Sequence, residues 1–187
     1  AIRGATGNAG KKNDALKMQL FMRLLLLAAA IRGASAVIER STGFDFPASS
    51  KRVGKLRSLG VRKKGPIKVY GVGMYEGLTK DKGFMLKMAM GVGAAKMTNA
   101  LVDAVKPRLP KGQGDTALED FKNLLLKGLP DGCSRNMCLL FATGAGRLAL
   151  FVDDKYVGAV ASKPLATAFV GVYCDARAVC TLHPIES

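Results

Sequence analysis

The run IKVYGVGMY, Ile67 to Tyr75, alternates along its length and carries Gly71 and Gly73 among apolar residues. Period-two alternation puts successive side chains on opposite faces of a strand, and glycines inside a strand mark a close backbone approach. Just ahead of it, Lys64-Gly65-Pro66 is a turn signal that folds the preceding residues back along the strand. The chain is therefore committed to an antiparallel pairing, and the order of the remaining segments decides how helices cover the sheet.

That order reads strands, helices, strands, helix. VIERSTGFDFP, from Val37, opens with a strand-like run and a turn. Phe84 to Lys106 is rich in Met, Ala and Leu with no proline before Pro107, so it reads as helical, broken near Gly91-Val92-Gly93. In DTALEDFKNLLLKGL, Thr116 and Glu119 form a capping box, and Leu118, Phe121, Leu125 and Leu129 recur at helical spacing. Two strands, NMCLLFAT and RLALFV, are joined by Gly144-Ala145-Gly146, and a third, Tyr156 to Val160, follows the Asp153-Asp154 turn. Ser162 and Pro164 open a last helix whose Leu165, Ala168, Phe169 and Val172 share a face. The pattern excludes a doubly wound βαβ repeat and predicts an α+β fold, an antiparallel sheet with helices on one face.

With 187 residues, 49% of them hydrophobic, the chain can bury one sizeable core, so residues 37–187 read as the domain and residues 1–36 as an extension. The net charge of +15 favours an anionic partner or surface. Nucleic acid is not expected, because aromatic residues are few and no RNP-type, zinc-finger or helix-turn-helix pattern occurs. The glycines of GVGAAK and TGAGR lack phosphate-loop spacing and read as packing glycines.

Cys133, Cys138, Cys174 and Cys180 do not have the spacing of a zinc site, so no metal is expected; they read as buried free thiols, with a Cys174–Cys180 disulfide as the alternative. The single histidine, His183, lies close to the acidic Glu186, a poor position for a general base. No catalytic residue and no cofactor is assigned.

Residues 1–17 are small, glycine-rich and basic with one acid, Asp14, and the apolar run that follows closes on Ala34-Ser35-Ala36. This looks like a targeting segment with a small-residue cleavage site, and Leu24 to Ile31 is too short to cross a bilayer. A retained docking helix is favoured over a discarded leader, the other reading being a helix packed on its own domain.

STGFDFP (41–47), LGVRKK (59–64) and IKVYGVGMY (67–75), followed in order by LPDGCSRNMCLLFATGAGRLALFVDD and VGAVASKPLATAFVGVY, resemble the motifs of the chalcone-isomerase-like family over residues 37–173. The resemblance implies an open-faced sandwich: a long antiparallel sheet, a helical layer, and a ligand cleft between them. It also implies one of two kinds of protein. The isomerases use an arginine on an early strand, a threonine on the next, and a tyrosine and an asparagine on a helix; fatty-acid-binding relatives keep the arginine and carry a tyrosine for the threonine. Arg62 matches the arginine, and Tyr70 falls where the isomerases have threonine. Gly93 stands at the helix tyrosine, Ala100 at the asparagine, and Asn99 one residue out of register, about 100° around a helix. Ring closure is not expected of such a site.

The resemblance thus implies a non-catalytic protein that binds a fatty acid or similar carboxylate lipid, with Arg62 and Tyr70 holding the carboxylate. Val72, Met74, Leu86, Met90, Met97, Asn99 and Leu101 are the further candidate site residues. On one straight strand Arg62 and Tyr70 would stand about 26 Å apart. Folded back at Gly65-Pro66 they would face each other diagonally, so both side chains would have to lean together. The rival expectation is an accessory subunit docked through residues 1–36 on an organellar membrane complex. The basic, acid-poor leader suits a plastid, and a mitochondrion as the alternative.

Overall fold

The computed structural model of the chain describes residues 35–110, 112 and 115–185, within a compact unit Ser35–Ser187. Of the docking or targeting segment expected over residues 1–36, residues 1–34 lie outside the described residues, and Ala36 opens the first strand.

The strands are β1 (Ala36–Glu39), β2 (Phe44–Pro47), β3 (Ser49–Ser50), β4 (Gly54–Lys64), β5 (Ile67–Glu76) and β6 (Lys82–Met88). Helix α1 (Ala94–Val105) runs into a 3₁₀ turn, Lys106–Arg108, and α2 spans Asp115–Gly128. Strands β7 (Cys138–Gly144), β8 (Arg147–Val152) and β9 (Lys155–Val160) precede α3 (Lys163–Cys174) and β10 (Leu182–Pro184). One eight-stranded antiparallel sheet has the order β10-β4-β5-β6-β7-β8-β9, with β3 also on β4, while β1 and β2 form a separate hairpin. The sheet is curled into a half-barrel, and the α+β architecture expected from the element order is the one observed.

The sheet buries residues on both faces. On the helical side, Tyr70 and Val72 of β5, Phe84, Leu86 and Met88 of β6, and Leu139 and Phe141 of β7 pack with Met97 and Leu101 of α1, Phe121 and Leu125 of α2, and Phe169 of α3. On the other side, Leu56, Leu59, Tyr75, Met85 and Leu140 pack with Phe46 of the β1–β2 hairpin. Gly73 makes room for that ring: a Cβ there would stand 2.7 Å from a Phe46 ring carbon. Tyr75, whose side chain is fully buried, donates its hydroxyl to the Pro47 carbonyl at 2.9 Å.

This two-sided burial explains the main correction to the sequence reading. Residues 84 to 88 are strand β6, and the helix begins only at Ala94. Four consecutive residues, Gly83 to Leu86, are buried because both faces of β6 are covered. A strand buried on both faces loses its period-two signature and cannot be told from a buried helix by pattern. Helix α2 starts one residue before the capping-box threonine, at Asp115. Strand β10 was not foreseen; it pairs with β4 through Leu182 opposite Gly60 and His183 opposite Leu59. The opening of α3 is as expected, with the Ser162 hydroxyl accepting from the Leu165 amide at 3.3 Å. All four cysteines are free; Cys133 is buried, Cys138 and Cys180 are partly so, and Cys174 is exposed, contrary to the expectation of burial for all.

Candidate functional site

The β4–β5 hairpin supplies the polar end of the site. Near its tip Lys64 pairs with Ile67 and Lys63 with Lys68, but one step further in Arg62 pairs with Tyr70, so Val69 is left over as a bulge. The bulge removes the diagonal offset expected from the sequence and sets Arg62 directly opposite Tyr70. A second bulge, at Arg57, interrupts the alternation of β4, so that Leu56 and Leu59, three residues apart, pack in the same cluster.

Residues after α3 hold the arginine. The half-buried Arg62 guanidinium donates from Nη1 to the Val179 carbonyl at 2.6 Å, and the Val179 amide donates to the Val172 carbonyl at 2.9 Å. Arg108 anchors the same loop: its Nε and Nη2 donate to the two carboxylate oxygens of Asp175 at 2.8 and 2.9 Å, and Nη2 also donates to the Arg177 carbonyl at 2.6 Å.

Arg62 and Tyr70 open onto a cavity of about 300 Å³ between the hairpin, the Met90 to Val92 segment, α1 and the end of α3. Of the candidate residues, Met90, Met97 and Leu101 line it too. Val72 and Leu86 are fully buried in the core beneath, Met74 lines a second cavity, and Asn99 is exposed away from both. Ala100 lines the cavity where Asn99 does not, as the 100° rotation between neighbours on a helix requires. The sequence reading missed Lys64, Ile67, Val69, Val92, Lys96, Ala104, Val172 and Val179. Met97, Ala100, Leu101 and Ala104 stand at helical spacing, and that stripe is the signal that marks the cavity face of α1.

The cavity wall is apolar apart from Arg62, Lys64, Lys96 and the Tyr70 hydroxyl. No carboxylate, imidazole or thiol is among its lining residues, and among the described residues none of the three cations is ion-paired. The Tyr70 hydroxyl stands 3.3 Å from that of Tyr173, and burial pushes the Tyr70 phenol up to about 12, partly offset by the Tyr173 hydrogen bond and the Arg62 charge. Burial likewise raises Tyr173 well above its ordinary range. At neutral pH both hydroxyls keep their protons, and one hydrogen bond between them uses only one of the two. When Tyr173 donates, the Tyr70 proton is free for an acceptor in the cavity.

The raised phenol has a consequence for stability. Below pH 10 Tyr70 is protonated in both folded and unfolded chains; between 10 and 12 only the unfolded chain releases the proton, so stability falls as pH rises. The expected slope from Tyr70 is up to about 1.4 kcal/mol per pH unit in that window. Urea midpoints measured across it check this, and Tyr70→Phe should flatten the slope; an unchanged slope would mean that the phenol is already solvated.

No family model matches the sequence, and no curated protein matches it. Among solved structures, the chain is similar to the crystal structure of the Arabidopsis thaliana fatty-acid binding protein AtFAP1, with a TM-score of 0.69 at 23% identity, covering 78% of this chain and 91% of that one. The chain has the chalcone-isomerase-like fold that its sequence motifs resemble.

Proposed function

We propose that this chain is a non-catalytic binding protein for a carboxylate lipid, a fatty acid whose tail enters the apolar cavity and whose head meets Arg62 and Tyr70. The observation that carries the reading is the cavity itself, an apolar chamber whose polar groups are hydrogen-bond donors at neutral pH, with a guanidinium directly opposite a buried phenol. A guanidinium offers a fork of N–H donors matched to a carboxylate, and the phenol adds one more. The cavity volume lies at the lower end of the roughly 300–1,000 Å³ common for small-molecule sites. The similarity to a fatty-acid binding protein supports the same reading. The basic, acid-poor character of residues 1–36 is the reason for placing it in an organelle, plastid ahead of mitochondrion.

The test is native mass spectrometry of the protein purified gently from its source, followed by calorimetric titration of the stripped protein with medium- and long-chain fatty acids. One acid per chain, exchangeable for added acid, is the expected result. An empty chain that takes up neither class, and that emerges attached to a membrane assembly, would sink the reading in favour of a docked subunit.

A further inference from the structure

The mouth of the first cavity carries apolar and basic side chains that the carboxylate clamp leaves unused. Three segments form it: the tip of the β4–β5 hairpin, the Met90 to Val92 segment, and the first turn of α1. The Ala89 amide donates to the Val69 carbonyl at 2.9 Å, which carries the chain after β6 alongside β5 toward the hairpin tip. At this rim Ile67 is 53% exposed and Met90 37%, although both are apolar and both line the cavity. Pro66, in the turn between the two strands, is exposed as well. One exposed apolar side chain is ordinary, but several beside the opening of an apolar chamber mark a surface that meets something apolar.

Cations flank these side chains. Lys64 and Lys96 are exposed and line the cavity with Ile67 and Met90, while Lys63, also exposed, is not among the lining residues. Among the described residues none of the three is ion-paired, and no carboxylate lines the cavity. The acid on α1, Asp103, stands two turns beyond Lys96, about 10 Å along the axis. Because Lys63 pairs with Lys68 and Lys64 with Ile67, alternation puts positive charge on both faces of the tip. A flat anionic surface approached tip first meets the lysines of both faces at once. A bilayer also supplies both chemistries at one depth, lipid phosphates for the ammonium groups and acyl chains just beneath for the apolar side chains. The net charge of +15 adds long-range attraction to the same surface.

We propose that this rim is a docking surface for an anionic lipid bilayer, with Ile67 and Met90 entering the interface and Lys63, Lys64 and Lys96 against lipid phosphates. The purpose of the contact rests on the lipid-binding reading above: an acyl chain leaving the bilayer enters the cavity without crossing bulk water. The contact itself does not require an acid in the cavity, so the two ideas fail separately.

The experiment measures co-sedimentation of the full chain, stripped of lipid, with vesicles of phosphatidylcholine mixed with phosphatidylglycerol and with vesicles of phosphatidylcholine alone. Tighter binding to the mixed vesicles is expected. Affinity should fall about fivefold for each lysine removed, and so about 100-fold in the Lys63→Gln, Lys64→Gln, Lys96→Gln triple variant. Ile67→Ser should lose about fivefold or more. Lys155→Gln, on β9 at the far edge of the sheet, should bind as the parent does. Residues 1–36 are themselves basic and contain an apolar run, so a readout local to the rim completes the test. Lysine acetylation, read by mass spectrometry, should slow at Lys64 and Lys96 on the mixed vesicles and not at Lys155. An unprotected rim would overturn the proposal however tightly the full chain binds, and it is the result expected if the partner is an acidic protein. A triple variant that melts as the parent does and binds the mixed vesicles as tightly would overturn it too. Fatty-acid binding is measured apart, by calorimetry without vesicles, where Lys63→Gln should match the parent. Absence of acid binding there removes the lipid-binding reading and leaves the docking result standing.

Discussion

Replacing Phe169 by alanine lowers the unfolding free energy by about 3–5 kcal/mol, roughly a fifth or more of the stability of an ordinary domain. Phe169 of α3 is fully buried, and its ring lies 4.5 Å from that of Phe141, 5.9 Å from Phe121, 6.0 Å from Phe84 and 5.8 Å from Tyr173. Those partners sit on β7, α2, β6 and α3 itself, so one truncation opens a cavity where two helices meet the middle of the sheet. Each well-placed aromatic pair adds about 0.5–1.5 kcal/mol beyond the area it buries. Urea unfolding reads the loss as a lower midpoint with an unchanged slope. Phe169→Leu, which refills most of the volume, should lose less than half as much. A drop below about 1 kcal/mol in the alanine variant would mean that α3 collapses onto the sheet with little cost, and that the aromatic cluster is not what docks it.

Phe169 also shows what the sequence made legible. Its helix could be read because Leu165, Ala168, Phe169 and Val172 recur at helical spacing, and Ser162 with Pro164 marks its start. The β7–β8 hairpin was legible for a similar reason: two apolar runs flank a turn in which Ala145 and Gly146 take positive φ. Strand β6 was not, because Gly83 to Leu86 meet apolar neighbours on both faces and so carry no alternation. At the site, Arg62 and Tyr70 were identified by motif, but their juxtaposition depends on a bulge at Val69, and no glycine or proline at that position announces it. Lys96 was invisible for a different reason. A lysine on a helix reads as a solvated face unless the cavity beside it is known, and the cavity is made by the hairpin and the end of α3, remote in sequence. Local pattern fixes which face of an element is apolar; it does not say which two elements leave a gap between them.

Removing the guanidinium tests that gap directly. In Arg62→Ala, fatty-acid affinity should fall by roughly 10- to 100-fold, because a hydrogen bond to a charged group contributes about 1.5–3 kcal/mol and each 1.4 kcal/mol is a factor of ten. Arg62→Lys should fall between the two, since an ammonium keeps the charge but not the fork of donors. Tyr70→Phe should cost less, about 0.5–1.5 kcal/mol, the scale of one neutral hydrogen bond. Arg62 has a second tie, its bond to the Val179 carbonyl, so a change in binding must be separated from a change in fold. Thermal melting does part of this, and a fatty alcohol of the same chain length does the rest. The alcohol fills the cavity without presenting a carboxylate, so its affinity should be nearly indifferent to Arg62. If Arg62→Ala weakens acid and alcohol alike, the arginine supports the cavity wall through Val179 and does not hold the head group. If acid affinity stays at the parent level while the melting temperature drops, Arg62 is a tie between β4 and the loop after α3, and the anion clamp is wrong. Selective loss of the acid, in a protein that melts as the parent does, is the outcome that the opposition of Arg62 and Tyr70 across the bulge requires.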